Sequence, residues 1–80
     1  MNKAIITEKV KKILCAMLRL EPDGIEMDDE LTADLGADSL ELTEFVMALE
    51  DEFCLSIPDE DAEDIVTVGD VVTYLEGLVD

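Results

Sequence analysis

Hydrophobic residues recur at helical spacing in four segments of the chain, and no segment alternates in the way that a strand requires. The segments cover about residues 3–20, 39–53, 59–64 and 68–79. The residues expected to face the core are Ile6, Val10, Ile13 and Met17, with Leu14 at the edge, then Leu42, Phe45, Val46, Leu49 and Phe53, and finally Val68, Val71, Val72, Leu75 and Val79. This pattern predicts an all-α fold: a small four-helix bundle with three main helices, one short third helix and a long loop between helices 1 and 2.

Residues 21–38 form that long loop, in which Pro22, Gly24 and Gly36 break helical structure. Loops of this length in a compact domain tend to be functional, or to be held in place by a few buried side chains. A short turn is predicted at residues 31–35. The expected anchors of the loop are Ile25, Leu31 and Leu35.

The second helix begins in the stretch LGADSLEL, where two neighbouring residues could serve as the N-cap. A capping box requires Glu or Gln three residues after the cap, and Glu41 meets this condition for Asp38 but not for Ser39. We therefore predict that Asp38 caps the helix and that the Ser39 hydroxyl is uncommitted. A serine there suits a phosphoryl group, because the helix N-terminus favours an anion; the alternative is an exposed serine without a role. Thr67 and Asp70 form a similar pair before the fourth helix.

Away from its core face, the second helix carries two apolar residues, Leu40 and Met47, beside Thr43. Around them lie acidic residues, namely Glu41, Glu44, Glu50 and Asp51. Two interpretations stay open. The apolar pair could contact another helix of a broad core, or it could form a docking surface on which apolar contacts give affinity and the acids orient a basic partner.

Charge is distributed very unevenly along the 80 residues, which carry a formal net charge of −17. All five basic residues lie within the first nineteen positions, and 21 of the 22 acids follow them. Such a surface repels nucleic acid and anionic membranes and attracts basic partners. Because 49% of the residues are hydrophobic and periodically placed, we expect one folded domain over residues 1–80, stabilised by salt or divalent cations, rather than a disordered chain.

The residue types present exclude several kinds of site. Without histidine, the chain can form neither a Ser-His or Cys-His nucleophilic site nor a histidine-containing metal site, so an enzyme is the least favoured class. Loops that start at Asp28 or Asp34 do not have the Gly and Glu positions of an EF-hand. Cys15 and Cys54 form no zinc or CxxC spacing, so we expect two idle thiols rather than a disulfide. No apolar run approaches the ~20 residues of a membrane span, and a soluble, cytoplasmic protein is expected.

The succession DLGADSLE, VMALEDEF and IPDEDAEDIVTVGDVVTYL, after the lysine-bearing KVKKIL, resembles the acyl carrier proteins of type II fatty acid synthesis in order and spacing. The likeness covers most of the chain. It implies that Ser39, in the DSL motif, carries a 4′-phosphopantetheine arm that a phosphopantetheinyl transferase attaches from coenzyme A. It also implies that the thiol of the arm holds growing acyl chains as thioesters, that the protein itself catalyses nothing, and that an acyl chain can be sheltered between the helices.

The same resemblance assigns the docking of partner enzymes to the acidic second helix. The implied partners are acyltransferases, ketosynthases, reductases and dehydratases of fatty acid synthesis, each with a basic patch, and the carrier is expected to be a monomer. Carried over to this sequence, the docking residues are Asp38, Leu40, Glu41, Glu44, Met47 and Glu50.

Three positions depart from the family pattern. Thr43 stands where a valine is common, Leu42 where a threonine is common, and Phe45 where a leucine is common. This exchange moves an apolar group from the docking side to the core side, so the partners could belong to a polyketide or another specialised acyl pathway. From a different class, the alternative is an unmodified acidic module that binds basic proteins.

Overall fold

Four α-helices make up most of the chain in the computed structural model, which describes residues 2–79. They are α1 (Lys3–Leu18), α2 (Ser39–Phe53), α3 (Asp59–Glu63) and α4 (Val68–Glu76), and the described residues contain no strand. The predicted all-α fold, with a short third helix and a long loop before α2, is confirmed. In this part of the chain, no helix combines the length and the apolar character needed to cross a membrane.

Three helices end earlier than the hydrophobic pattern predicted. α1 stops at Leu18 because Arg19 adopts the left-handed conformation, with φ of 58°, and its N–H donates to the carbonyl of Cys15. α3 ends one residue early, and α4 ends at Glu76, so that Val79 packs against the core from outside the helix. Apolar periodicity continues past the last hydrogen-bonded turn and therefore does not define a helix end.

The core lies between the inner faces of α1, α2 and α4. In α1 the centre of the apolar stripe differs from the prediction, because Leu14 is buried while Ile13 and Met17 are only partly buried. α1 packs against both α2 and α4, and a face shared between two helices is broader than a single stripe. The core residues are Ile6, Val10, Leu14, Ile25, Leu31, Phe45, Leu49, Phe53, Ile57, Val68, Val71, Val72 and Leu75.

The long loop is attached to the start of α4. Its predicted anchors Ile25 and Leu31 are buried, Leu35 is half-buried, and the predicted turn over residues 31–35 is present. An isolated β-bridge joins Glu30 to Thr67, as the N–H of Leu31 donates to the carbonyl of Val66 at 3.0 Å. These contacts hold the segment that leads into α2.

Gly69 allows the closest approach between this loop and α4. Its N–H donates to the carbonyl of Met27 at 2.7 Å, and a Cβ on Gly69 would lie 2.9 Å from that same oxygen. A side chain at this position would push the loop away from the helix.

Candidate functional site

Ser39 is the first residue of α2, and its neighbours satisfy the helix end without it. The Asp38 carboxylate accepts a hydrogen bond from the N–H of Glu41 at 2.8 Å, and the Glu41 carboxylate accepts one from the N–H of Asp38 at 3.1 Å. This reciprocal pair is the predicted capping box. The Ser39 side chain is exposed, and its hydroxyl has no hydrogen-bond partner among the described residues.

The loop holds the start of α2 in place. Gly36 has φ of +80°, a conformation that favours glycine, and the next residue, Ala37, is buried with its N–H donating to the carbonyl of Leu31 at 2.9 Å. One turn earlier, the Asp34 carboxylate accepts a hydrogen bond from the N–H of Glu30 at 2.7 Å. The position of Ser39 is therefore set by a loop that is attached to the core on both sides of the turn.

A cleft of about 630 Å³ opens beside Ser39, between α2 and the segment that contains α3. Its floor is formed by buried core residues, and its α2 rim runs from Ser39 through Thr43 and Met47 to Glu50. The full lining is Leu31, Ser39, Leu42, Thr43, Phe45, Val46, Met47, Leu49, Glu50, Ile57, Asp59, Ala62, Glu63 and Ile65. The one candidate modification site is thus at the rim of a mainly apolar groove.

The opposite wall of the cleft, formed by Ile57, Ala62 and Ile65, was not predicted from the sequence as part of the site. The sequence IPDEDAEDI gave only a weak signal, because Ala62 lies in α3 while Ile57 precedes this helix and Ile65 follows it. The sequence alone does not show that these three side chains turn toward α2.

Two side-chain hydrogen bonds hold the α3 segment, which has no side-chain N-cap of its own. The Glu50 carboxylate accepts from the N–H of Ile57 at 2.8 Å, and the Tyr74 hydroxyl donates to the Asp61 carboxylate at 2.7 Å. Burial and the adjacent Asp61 carboxylate raise the pKa of Tyr74 to about 12, so the phenol keeps its proton over the physiological range.

The predicted docking residues divide into two groups. Leu40 and Met47 have 68% and 59% of their surface exposed, so the interpretation that they contact another helix of the core is wrong. Asp38 and Glu44 are exposed as well. The other two, Glu41 and Glu50, are half-buried, and each carboxylate accepts a hydrogen bond from a backbone amide.

The three positions that depart from the family pattern lie where the sequence predicted. Thr43 is exposed beside the docking residues and donates its hydroxyl to the carbonyl of Ser39 at 3.1 Å. Leu42 is half-buried against the core, and Phe45 is buried with 2% of its surface exposed. Both apolar side chains line the cleft, so the departures change the cleft as well as the docking face.

Acidic charge dominates the surface around the cleft. One ion pair is present in residues 2–79, in which Lys9 of α1 contacts Glu52 of α2 at 2.8 Å. The acids near Ser39 therefore have no cation of this part of the chain beside them, and a cation of another molecule can approach them. Within the described range, no group of three or more Cys, Asp or Glu residues is arranged to hold a metal ion.

Both cysteines are free thiols. Cys15 is half-buried, and burial together with the charge of Glu21 raises its pKa, which lowers the fraction of reactive thiolate. Cys54 is exposed and follows the last residue of α2 in the left-handed conformation, with φ of 53°. The two thiols are not joined to each other in the structure, and the expectation that they are idle stays a prediction.

Known proteins of one family resemble this chain in sequence and in fold. The family model described as a phosphopantetheine attachment site matches residues 8–75. An acyl carrier protein of Campylobacter hominis is 44% identical over 73 residues, covering 91% of this chain and 92% of the relative. One of Bdellovibrio bacteriovorus is 52% identical over 71 residues, covering 89% and 91%. A solved structure assigned as an acyl carrier protein of Mycobacterium tuberculosis gives a TM-score of 0.86 at 38% identity, covering 91% of this chain and 97% of that one.

The family model first defines the class: a helical carrier domain whose prosthetic group is phosphopantetheine. Within that class, the two bacterial relatives and the solved structure with the matching fold are all acyl carrier proteins. The chain belongs to the acyl carrier protein family. The resemblance found in the sequence is confirmed.

Proposed function

We propose that Ser39 carries the 4′-phosphopantetheine arm and that the protein delivers acyl groups to the enzymes of fatty acid synthesis. One observation supports this most directly: the Ser39 hydroxyl is exposed and uncommitted at the rim of an apolar cleft. The capping box leaves the Ser39 hydroxyl without a hydrogen-bond partner, because the carboxylates of Asp38 and Glu41 accept each other's backbone N–H groups. When bound, the arm supplies a terminal thiol that holds an acyl group as a thioester.

Attachment of the arm requires a phosphopantetheinyl transferase, because the carboxylates of Asp38 and Glu41, which flank Ser39, accept hydrogen bonds from backbone amides and not from its hydroxyl. The serine oxygen forms a bond to phosphorus of coenzyme A, the phosphoanhydride bond breaks, adenosine bisphosphate leaves, and the hydroxyl proton passes to the transferase. On this chain, the N-terminal amides of α2 favour the phosphate charge, while the neighbouring Asp38 opposes it. The carrier performs no catalysis in this proposal.

The cleft provides a place for the acyl chain between reactions. Its volume of about 630 Å³ lies within the range of about 300–1,000 Å³ that is usual for small-molecule pockets, and its floor is core side chains. The rim holds the polar atoms, including the Glu50 carboxylate and the Thr43 hydroxyl. An apolar chain that enters from the Ser39 end is thereby removed from water.

Partner enzymes are proposed to dock on Asp38, Leu40, Glu41, Glu44, Met47 and Glu50. The exposed apolar pair gives contact area, and the acids attract basic patches on the transferase and on acyltransferases, ketosynthases, reductases and dehydratases. Encounters steered by exposed charges are fast and salt-sensitive, which suits a monomer in the cytoplasm that must bind many enzymes and leave each one.

A specialised acyl or polyketide pathway is the second candidate, and Phe45 is the observation that favours it. Its aromatic ring occupies the floor of the cleft, where the family commonly has a leucine. A cleft shaped by this ring would accept a different range of acyl chains. The acyl group bound to the protein isolated from its native source distinguishes the two pathways.

Intact-mass spectrometry tests the attachment site. The protein is incubated with coenzyme A, Mg²⁺ and a broad-specificity transferase, and we expect a gain of one phosphopantetheine. Ser39→Ala should show no gain, whereas the matched variant Ser56→Ala, at an exposed loop serine, should gain as the wild type does. A folded wild-type protein that gains nothing would contradict the proposal and favour the unmodified interaction module.

A further inference from the structure

Thr43 is the residue of α2 whose side chain is hydrogen-bonded to Ser39. Its hydroxyl donates to the Ser39 carbonyl at 3.1 Å, and within residues 2–79 no other side chain makes a hydrogen bond with Ser39. Residues four apart on a helix share one face and lie about 6 Å apart along its axis. A group attached to the Ser39 side chain therefore begins next to the Thr43 hydroxyl.

This hydrogen bond contributes little to the stability of the helix. A threonine that bonds to the carbonyl four residues earlier slightly destabilises a helix, and threonine and valine have similar helix propensities. The bond uses the hydroxyl proton of Thr43, while the hydroxyl oxygen keeps a lone pair that can accept a further hydrogen bond. Because Thr43 is exposed, this acceptor is open to a donor from outside the helix.

The position of Thr43 distinguishes the two sides of α2 next to Ser39. Thr43 lines the cleft, whereas Leu40 and both residues of the capping box do not. The other polar residue that α2 contributes to the rim beyond Thr43 is Glu50, about three turns after Ser39. Thr43 is therefore the first polar group of α2 that a chain attached to Ser39 meets on the side of the cleft.

We propose that Thr43 is a positioning residue for the arm: its hydroxyl oxygen accepts a hydrogen bond from an amide N–H of the arm and keeps the arm on the cleft side of α2. This inference rests on the proposed function of Ser39. A neutral acceptor binds the amide without adding to the negative charge of Asp38, which already opposes the phosphate. The valine that is common in the family at this position has no such acceptor, so the contact is a property of this chain.

Hydrogen exchange of the arm amides, followed by NMR, tests this contact. The full-length protein is loaded from isotope-labelled coenzyme A by the transferase, as wild type and as Thr43→Val. The acidic surface slows base-catalysed exchange in both proteins, so the valine variant and not free pantetheine is the reference. At least one arm amide should exchange about two- to tenfold more slowly in wild type than in Thr43→Val, which corresponds to a hydrogen bond of ordinary net strength.

Further variants separate the hydroxyl from other effects. Thr43→Ser restores the acceptor and should restore the slow exchange, and Thr73→Val, the same change at an exposed threonine of α4, should exchange as the wild type does. The methyl groups of the arm should show NOEs to Val46, which lines the cleft, and not to Leu40, which does not, and these NOEs should be lost in Thr43→Val. Urea unfolding before loading should give nearly equal free energies for wild type and Thr43→Val, because the helix gains little from the Thr43 bond.

Equal exchange of the arm amides in wild type and Thr43→Val would overturn the proposal, and so would a slow exchange that Thr43→Ser does not restore. Intact mass of the same samples tests the proposed function separately. A gain in mass that Ser39→Ala abolishes supports that function whatever the exchange rates are. A folded protein that gains no arm would contradict the proposed function, and the role of Thr43 would be overturned with it.

Discussion

Replacing Cys54 by glycine is expected to stabilise the protein, because this residue closes α2 in a backbone conformation that suits glycine. Cys54 has φ of 53° and ψ of 51°, and its N–H donates to the carbonyl of Glu50. The side chain is exposed, and its only described hydrogen bond is a long one, from sulfur to the Asp51 carbonyl at 3.9 Å. Removal of the side chain therefore loses little packing.

The expected magnitude follows from two opposing terms. A left-handed residue that carries a Cβ costs about 1–2 kcal/mol relative to its right-handed form. Glycine costs about 0.5–1 kcal/mol through the greater freedom of the unfolded chain. The middle values of the two ranges differ by about 0.75 kcal/mol in favour of glycine, which for a domain of this size raises the Tm by about 3–6 °C.

Urea and thermal unfolding followed by circular dichroism, with reductant present, measure this gain. Cys54→Ser is the matched control, since it removes the thiol but keeps the Cβ, and it should leave the free energy of unfolding nearly unchanged. Arg19→Gly, at the left-handed end of α1, should show a gain of the same kind. If the serine variant gained as much as the glycine variant, the thiol and not the backbone would be responsible, and the reasoning would be refuted.

Three other changes have defined outcomes. Glu41→Gln combined with Glu44→Gln keeps the capping box, because Gln also accepts a hydrogen bond, and should slow phosphopantetheine transfer about tenfold at low salt, with the deficit fading at high salt. Gly69→Ala should destabilise the fold by about 1–3 kcal/mol in urea unfolding, because its Cβ would lie 2.9 Å from the Met27 carbonyl oxygen. Asp70→Ala should cost about 1 kcal/mol at neutral pH, because the Asp70 carboxylate accepts hydrogen bonds from two backbone amides before α4.

The Asp70 prediction has a pH dependence whose sign follows from the structure. Its hydrogen bonds with backbone amides lower the pKa of Asp70 in the folded protein. The stabilisation is therefore present above the ordinary aspartate pKa and is lost as the pH falls through the lowered one. Unfolding at a series of pH values should show wild type and Asp70→Ala converging in acid, and a constant difference would contradict this assignment.

Matched variants serve as controls for the Glu41→Gln and Glu44→Gln double variant and for Gly69→Ala. Glu76→Gln together with Asp23→Asn removes two exposed charges away from α2 and should leave the rate of transfer nearly unchanged. An equal loss of rate would mean that total charge matters, and not the docking face. Gly24→Ala places a Cβ where no atom lies within 4 Å, so it should cost less than Gly69→Ala.

The start of α2 could be predicted from the sequence because its determinants are local. A capping box joins residues three apart, so Asp38 with Glu41, and Thr67 with Asp70, could be read from spacing alone. The exposure of Leu40 could not be predicted from the sequence, because a residue opposite the core stripe faces either solvent or a further helix, depending on what packs there. The cleft could not be predicted from hydrophobic periodicity either, because it depends on how α3 packs against α2.

The sequence by itself determined the number and order of the helices, the capping boxes of α2 and α4, the core faces of these two helices and the serine that the first capping box leaves free. Each of these depends on interactions within about one helical turn, or on hydrophobic periodicity that repeats along the chain. Tertiary structure alone decided that Ser39 borders a cleft, that Leu40 and Met47 face solvent, and that Glu50 holds Ile57. These features require segments distant in sequence to meet at a particular angle, and that angle is set by the packing of the whole core rather than by any local pattern.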